Sequence, residues 1–179
     1  MKMGVLFPLL LCCIGCTRDE SSSIEANRTN DRLQPVVVPV FNSQDVPSSQ
    51  RSRAALDRVA SSLVRDLQSV ELAYGNPVFI RIFKEERELE LWVGKRSTYK
   101  FFRTYPVAAM SGKLGPKLRE GDRQAPEGFY FVSPSRMNPN SRFHLSFKLG
   151  YPNKYDRTWG RTGSALMVHG NQVSIGCFA

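Results

Sequence analysis

From Pro77 onward, the hydrophobic pattern of the chain changes to a two-residue repeat. Apolar and polar side chains alternate over 78–83, 89–93 and 99–107, and the intervening turns are short and either charged or glycine-containing. Such alternation is typical of strands that bury one face, and short turns join antiparallel neighbours. We therefore predict a three-stranded β-meander, which acts as a scaffold.

The segment before the meander has a helical period instead. Apolar residues recur there at spacings of three and four, at Leu56, Val59, Leu63, Leu67 and Val70. Gly75, Asn76 and Pro77 follow in the order expected after a helix end. We predict an amphipathic helix over 51–75 that packs on the following sheet; a helix lying on a membrane surface is the alternative.

Further strands are predicted over 128–133, 143–147 and 165–168, with a long loop over 156–162. The total length of 179 residues allows one domain with a real core. The fold class is therefore mainly β (α+β), with one amphipathic helix preceding the sheets.

The loop over 111–127 carries glycines, prolines and four cations: Lys113, Lys117, Arg119 and Arg123. It is either solvated surface or a wall that pairs with substrate carboxylates.

The N-terminus has the features of an export signal. Lys2 precedes a short apolar run, 5–14, which is too short to span a bilayer stably. Residues 1–16 are therefore predicted to be a signal peptide. Gly15 before Cys16 resembles a lipobox, with Cys16 as the lipidated residue, whereas Cys13 is atypical of one. A lipoprotein leader and a plainly cleaved leader both remain open.

Residues 17–50 are rich in Ser, Asn, Asp and Pro and are predicted to form a flexible linker. Export places the mature chain in the periplasm or cell envelope, with outer-membrane lipoprotein as one form.

Cysteine counting identifies one candidate nucleophile. Three of the four cysteines lie at or before Cys16, so Cys177 is the single thiol of the exported body. A single thiol forms no internal disulfide. Because Cys177 lies eight positions after His169, we interpret it as a reactive thiol and not as a small buried hydrophobic residue. His144, in an alternating strand, is predicted to be structural.

The spacing of His169 and Cys177 sets a geometric condition. A straight hairpin turning at 171–172 would leave the thiol about 10 Å from the imidazole. The segment 174–177 must therefore curl back, which Gly176 permits.

The net charge of +9 favours an anionic partner, such as anionic lipid, a carboxylate-rich wall polymer or nucleic acid. The basic residues are scattered and no nucleic-acid recognition motif is present, so nucleic acid is not predicted as a partner. No phosphate-binding glycine motif and no metal-ligand spacing occurs, so neither a cofactor nor a metal is expected.

A series of short motifs resembles one enzyme family. The matching stretches lie at 115–122 (GPKLREGD), 125–128 (APEG), 137–141 (MNPNS), 144–147 (HLSF), 150–153 (GYPN), 160–164 (GRTGS), 168–170 (VHG) and 174–177 (SIGC). Together they resemble the catalytic domain of bacterial L,D-transpeptidases, which have the YkuD fold, and within that family the YafK-like branch. The resemblance covers roughly residue 76 to the end.

The resemblance implies a fold, a reaction and a set of site residues. Residues 76–179 would form mixed β-sheets around a cleft, incomplete at the C-terminus because family domains continue beyond the nucleophile. Cys177 would be the nucleophile and His169 the base, with Gly170 and Ser174 in the active-site pattern. Backbone N–H groups of Gly176 and Cys177 would stabilise the oxyanion.

The implied substrates are peptidoglycan stem peptides, whose acyl group passes through a thioacyl enzyme to an amine or to water. Arg161, Arg119 and Tyr155 are candidates for substrate binding.

Two departures from the commoner family form leave alternatives open. First, Ile175 and Ala179 replace a His and an Arg or Asn. Second, the interval from His169 to Cys177 is shorter than usual. Both departures fit the YafK-like branch. That branch is associated with the link between peptidoglycan and an outer-membrane lipoprotein, so a hydrolase that releases this lipoprotein is one alternative. A catalytically inactive cell-wall-binding lipoprotein is another. A membrane contact is expected only through a lipid anchor on Cys16.

Overall fold

The structure is a computed structural model that describes residues 45–95 and 97–179. The predicted signal peptide, its Cys16 and most of the predicted linker lie outside these residues.

Helix α1 spans Gln50–Ser69 and begins at a capping box. The Ser49 hydroxyl accepts from the Ser52 N–H at 3.2 Å, and the Ser52 hydroxyl accepts in return from the Ser49 N–H at 2.8 Å. These two bonds satisfy N–H groups that the first helical turn leaves unpaired.

The prediction that the helix extends to residue 75 is wrong. The helix ends at Ser69, and Glu71 adopts a left-handed conformation with φ 59°. This conformation lets the Leu72 N–H return to the Leu67 carbonyl at 2.9 Å, so the chain leaves the helix six residues earlier than the glycine indicated.

The first sheet is the predicted meander. Strands β1 (Val78–Phe83), β2 (Glu88–Lys95) and β3 (Thr98–Pro106) pair antiparallel in chain order, with a bulge at Leu91/Trp92. The alternation of side chains had predicted these three strands to within a few residues.

The second sheet is built from shorter strands. Strands β4 (Met137–Asn138), β5 (Ser146–Lys148) and β6 (Met167–His169) pair antiparallel in the order β4-β5-β6. A single 3₁₀ turn, Pro134–Arg136, precedes β4. The final strand brings His169 to the end of the sheet.

Three local predictions in this half are wrong. The strand predicted over 143–147 begins only at Ser146. Residues 128–133 form no strand; Phe129 is 85% exposed while Tyr130 packs on the core. The predicted loop contains a short helix, α2 (Lys154–Thr158), whose Asn153 and Asp156 form a capping box.

Phe178 joins the C-terminal segment to the second sheet. It forms an antiparallel bridge with Met110 and a parallel bridge with Val168, which gives this region a mixed pairing. The prediction of a mainly β (α+β) fold with a preceding helix is confirmed.

Apolar side chains from both sheets meet in one cluster. Its buried members are Val107, Ala125, Leu149, Tyr151, Leu166 and Phe178, and Ile82 and Leu89 of the first sheet pack against it. A second cluster, Leu67, Leu72 and Val93, attaches the end of α1 to the first sheet. Within residues 45–95 and 97–179, no helix combines the length and apolarity needed to cross a membrane.

Candidate active site at the end of β6

Strand β6 presents His169 as its last residue. The side chain is 7% exposed, and the residue pairs across the sheet with Ser146 of β5. Its backbone N–H donates to the Phe178 carbonyl at 3.0 Å, so both neighbouring strands fix its backbone.

The imidazole of His169 has defined contacts. Its Nδ1 lies 2.5 Å from the Gly170 carbonyl oxygen, which can only accept, so Nδ1 carries the proton. The ring stacks on Phe143, with centroids 4.5 Å apart and planes 23° apart. In the neutral ring Nε2 is then the unprotonated nitrogen, able to take a proton from a nucleophile.

The chain returns beside β6 after a short loop. The Phe178 N–H donates to the Met167 carbonyl at 3.0 Å, so Phe178 runs parallel to β6 and is paired with Val168. With strand rise and spacing as in ordinary sheets, the Cα atoms of Cys177 and His169 are about 8 Å apart. The curl that the spacing required is present, and Gly176 adopts a φ of 131° within it.

Ser174 holds this curl. Its hydroxyl donates to the Cys177 carbonyl at 2.6 Å and accepts from the Gly176 N–H at 3.2 Å. The Gly176 N–H is therefore engaged within the turn, and the expectation that it points at a substrate oxyanion is not met in this conformation. Ser174 thus fixes the backbone on both sides of the thiol residue.

The thiol of Cys177 is half-buried. Its Sγ lies 3.7 Å from the Ala165 carbonyl oxygen. Burial raises the pKa of the Cys177 thiol, and a backbone hydrogen bond with Met167 opposes that rise. The structure brings Cys177 and His169 to neighbouring positions but places no hydrogen bond between them.

Gly170 allows a close approach behind the histidine. A Cβ at this position would lie 2.9 Å from the Phe143 carbonyl oxygen, closer than van der Waals contact allows. The Gly170 N–H donates to the Leu145 carbonyl at 3.1 Å. A glycine is therefore required where the chain after β6 passes the 143–145 segment.

Arg161 and Tyr155, two of the candidates for substrate binding, lie together beside α2. Arg161 Nη1 is 2.9 Å from Asp156 Oδ1, and the Asp156 side chain is 1% exposed. The guanidinium carbon lies 5.4 Å from the centre of the Tyr155 ring. The hydrogen bond with Asp156 raises the pKa of Arg161, so its charge is committed to this pair.

The basic loop is tied down by internal ion pairs. Lys117 is buried; its Nζ pairs with Asp122 and donates to the Arg119 carbonyl at 2.8 Å. Lys84 Nζ pairs with Glu127 Oε1 at 3.0 Å. Lys117 is therefore a structural residue, while the side chain of Arg119, the third candidate for substrate binding, is exposed.

The carboxylate of Asp122 is held in its charged form. Burial alone would raise its pKa, but the Lys117 ammonium and the backbone N–H groups of Arg119, Gln124 and Leu118 lower that pKa well below its ordinary value. Asp122 therefore organises the loop as an anion.

Sequence reasoning missed three residues that shape this region: Phe143, Asp122 and Lys84. Phe143 had one local signal, its place in an alternating strand, whereas the ion pairs join residues without any sequence periodicity.

Within the described part of the chain, no group of three His, Cys, Asp or Glu side chains is close enough to hold a metal ion.

Comparisons with known proteins support the resemblance. No family model matches the chain. Over 105 residues it is 49% identical to "Putative L,D-transpeptidase YafK" of Escherichia coli strain K12, and equally to that of Escherichia coli O157:H7. The match covers 59% of this chain and 43% of each relative, so the chain spans less than half the length of these curated relatives.

Two solved structures are also similar, both of the helical cell shape determining protein Pgp2 from Campylobacter jejuni. The K307A mutant has a TM-score of 0.49 at 23% identity, covering 57% of this chain and 39% of that one. The other structure has a TM-score of 0.46 at 21% identity, covering 64% and 46%. The YafK matches by themselves confirm, for the matched 105 residues, the resemblance to the YafK-like branch of the L,D-transpeptidases that the motifs indicated.

Proposed function

We propose that this chain is an exported cysteine acyl-transfer enzyme that acts on peptidoglycan stem peptides through a thioacyl intermediate. The observation that carries the proposal is the pairing of Phe178 with Val168, which runs the Cys177 segment beside the strand ending in His169. The Nδ1–Gly170 contact, which leaves Nε2 unprotonated, supports a base role for His169. The YafK relatives support the family of the reaction.

The reaction proceeds in two acyl transfers. His169 Nε2 takes the Cys177 proton, and Sγ attacks the peptide carbonyl carbon to form a tetrahedral oxyanion. The C–N bond then breaks, and the leaving amine takes the proton from the imidazolium. An amine or a water molecule, deprotonated by His169, next attacks the thioester carbon. The C–S bond then breaks, and the Cys177 sulfur takes the proton from the imidazolium, which regenerates the thiol.

The cell envelope is the proposed site of action. The leader over 1–16 supports export, and a lipid on Cys16 would anchor the mature chain. The proposed organisation assigns the chemistry to 76–179 and gives 17–50 the role of a tether. The proposed partners are peptidoglycan stem peptides and a peptidoglycan-linked outer-membrane lipoprotein.

Acylation by a carbapenem tests the nucleophile. The β-lactam carbonyl mimics the scissile amide, so we expect the wild type to gain one carbapenem mass at Cys177 in a mass spectrum. Cys177→Ala abolishes the adduct, and His169→Ala slows its formation about 100-fold because the base is lost.

The matched control is His144→Asn, since His144 is the other histidine of the chain, its side chain is exposed, and asparagine tolerates the left-handed φ of 72° there. This variant keeps the wild-type rate. An adduct that forms equally well in Cys177→Ala refutes the proposed nucleophile.

Transferase and hydrolase activities are separated by incubation with lipoprotein-linked sacculi. Hydrolysis frees the lipoprotein without any added acceptor. Transfer needs an added amine, and that amine becomes part of the product. Mass spectra of the released material, with and without an added amine, distinguish the two.

A cell-wall-binding protein without catalysis is the second candidate. The raised pKa of the Cys177 thiol and its contact with the Ala165 carbonyl favour it, because both describe a protonated, packed side chain. This candidate predicts sacculus pull-down that survives Cys177→Ala, together with no carbapenem adduct on the wild type.

A further inference from the structure

The aromatic ring of Phe143 fixes the plane of the His169 imidazole. The two rings are stacked at 4.5 Å, and His169 is otherwise held at Nδ1 by the Gly170 carbonyl. Rotation of the imidazole about its side-chain bonds would break both contacts together. The stacking therefore favours the orientation in which Nδ1 carries the proton and Nε2 is unprotonated.

The backbone around Phe143 is itself constrained. The Phe143 N–H donates to the Ser141 hydroxyl at 3.1 Å, and His144 adopts a left-handed φ of 72°. A non-glycine residue in this conformation costs about 1 kcal/mol or more, so surrounding contacts must hold it. One such contact is the close packing of the Phe143 carbonyl against Gly170.

Helix α1 supplies the remaining contacts. The Arg51 guanidinium donates to the Ser141 carbonyl at 2.6 Å and to the His144 carbonyl at 3.1 Å, which lie on either side of Phe143. The adjacent Ser49 hydroxyl donates to the Pro139 carbonyl at 2.9 Å. The first turn of α1 thus clamps the loop that carries the stacked ring.

We propose that Phe143 is a positioning residue for His169 and that Arg51 of α1 holds the loop that presents it. The inference rests on the proposed function for the use of Nε2 as the base, and it names two residues outside the family motifs. It assigns α1 a part in the active site in addition to packing.

The test is the tautomer of His169, read from ¹⁵N chemical shifts of the imidazole nitrogens in the full chain at mildly alkaline pH. The chain has two histidines, so His144→Asn, which tolerates the left-handed φ of 72° at this position, assigns the remaining signal to His169. In the wild type we expect one tautomer, with the proton on Nδ1. Phe143→Leu and Arg51→Gln each shift the signal toward a mixture of tautomers.

Two matched variants control for loss of structure. Phe143→Tyr retains an aromatic ring and restores the wild-type tautomer. Arg53→Gln removes an exposed cation from the same turn of α1, whose partner is the nearby Ser48 hydroxyl at 3.3 Å, and leaves the tautomer unchanged. Because Arg51 is exposed, Arg51→Gln remains folded and decides the test should Phe143→Leu unfold.

Retention of the wild-type tautomer in Phe143→Leu and Arg51→Gln overturns the proposal, as does a wild-type His169 protonated on Nε2. A shift in Phe143→Leu alone removes the role of Arg51. The tautomer is measured without substrate, so its outcome is separate from carbapenem acylation: a wild type that fails to acylate refutes the proposed function and leaves the tautomer result standing.

Discussion

The Ser174 hydroxyl makes two backbone hydrogen bonds, one on each side of the Cys177 amide. Its hydroxyl bonds the Cys177 carbonyl and the Gly176 N–H, and both bonds are lost in Ser174→Ala. We expect carbapenem acylation to fall about 10- to 100-fold, because a misplaced nucleophile is a poor one. The free energy of unfolding should fall by only about 1 kcal/mol.

Ser164→Ala is the control for that variant. Its hydroxyl donates to the Glu120 carboxylate at 2.9 Å in an exposed contact away from the turn. Equal acylation rates in Ser174→Ala and the wild type contradict the role of the turn.

The protonation of Cys177 predicts how its reactivity depends on pH. Burial raises the pKa of the thiol above its ordinary value, so the resting protein holds little thiolate at neutral pH. Alkylation by iodoacetamide, read at the Cys177 peptide by mass spectrometry, should keep rising with pH beyond the range where an exposed cysteine levels off.

The same shift has a consequence for stability. Because the pKa of the Cys177 thiol is higher in the folded state, the folded chain binds more protons than the unfolded chain at alkaline pH. The contribution of this thiol to the free energy of unfolding is therefore complete below the unfolded-state pKa and is lost as pH rises through the folded-state pKa. In the alkylation experiment, a rate that already levels off at neutral pH contradicts the raised pKa of the Cys177 thiol.

The sequence predicted the candidate pair of Cys177 and His169 but not the contacts that hold the two residues. Cys177 followed from counting cysteines, and the need for a curl followed from strand geometry. Arg51 and His144 are 93 residues apart and no periodic pattern relates them, so only the folded chain reveals their contact. Ser174 was predicted as an active-site residue from its motif, whereas its hydrogen bonds depend on the turn.

At the scale of elements, periodicity predicted the first sheet but also predicted a strand over 128–133 that the structure does not form. The meander of β1, β2 and β3 was predicted because each strand supplies the next with a partner. Residues 128–133 show the same alternation but form no strand. Helix α2 has five residues, fewer than a periodic pattern needs, and its signal was the Asn153–Asp156 cap.

The basic loop is an element held by an ion pair, and Asp122→Asn tests this. The side chains of Lys117 and Asp122 are 5% and 17% exposed, so removing the anion leaves a buried ammonium without its charged partner. We expect the free energy of unfolding at neutral pH to fall by about 3 kcal/mol.

The pH dependence of that effect has a defined sign. The pKa of Asp122 is lowered in the folded state, so its contribution is complete above the unfolded-state value near 4 and decreases as pH falls toward the folded-state pKa. Urea unfolding of both proteins at neutral and acidic pH measures the difference, and Asp57→Asn on the exposed surface of α1 is the control. A difference that does not shrink in acid contradicts the charge-based explanation.

At the scale of the molecule, α1 connects regions that the sequence had separated. The motifs assigned the chemistry to 76–179 and treated the helix as an addition, because the resemblance begins after it. In the structure, Leu67 packs with Val93 of the first sheet, while Arg51 bonds the loop before β5 of the second. Leu56 and Val59, in the same apolar stripe, remain exposed, so the helix is attached mainly at its two ends.

This arrangement predicts that the helix is part of the folding unit. A fragment of residues 77–179 loses the Leu67 contact, which alone is worth about 2–5 kcal/mol, as well as the Arg51 clamp. We expect its thermal midpoint to lie at least about 10 °C below that of a 45–179 fragment, if it folds at all. Circular dichroism melting compares the two, and a 45–179 fragment carrying Val59→Ala, an exposed position on α1, should melt with its parent. Equal midpoints for the two fragments would mean that the sheets fold without α1, and the helix would then be an appendage, as the motifs alone suggested.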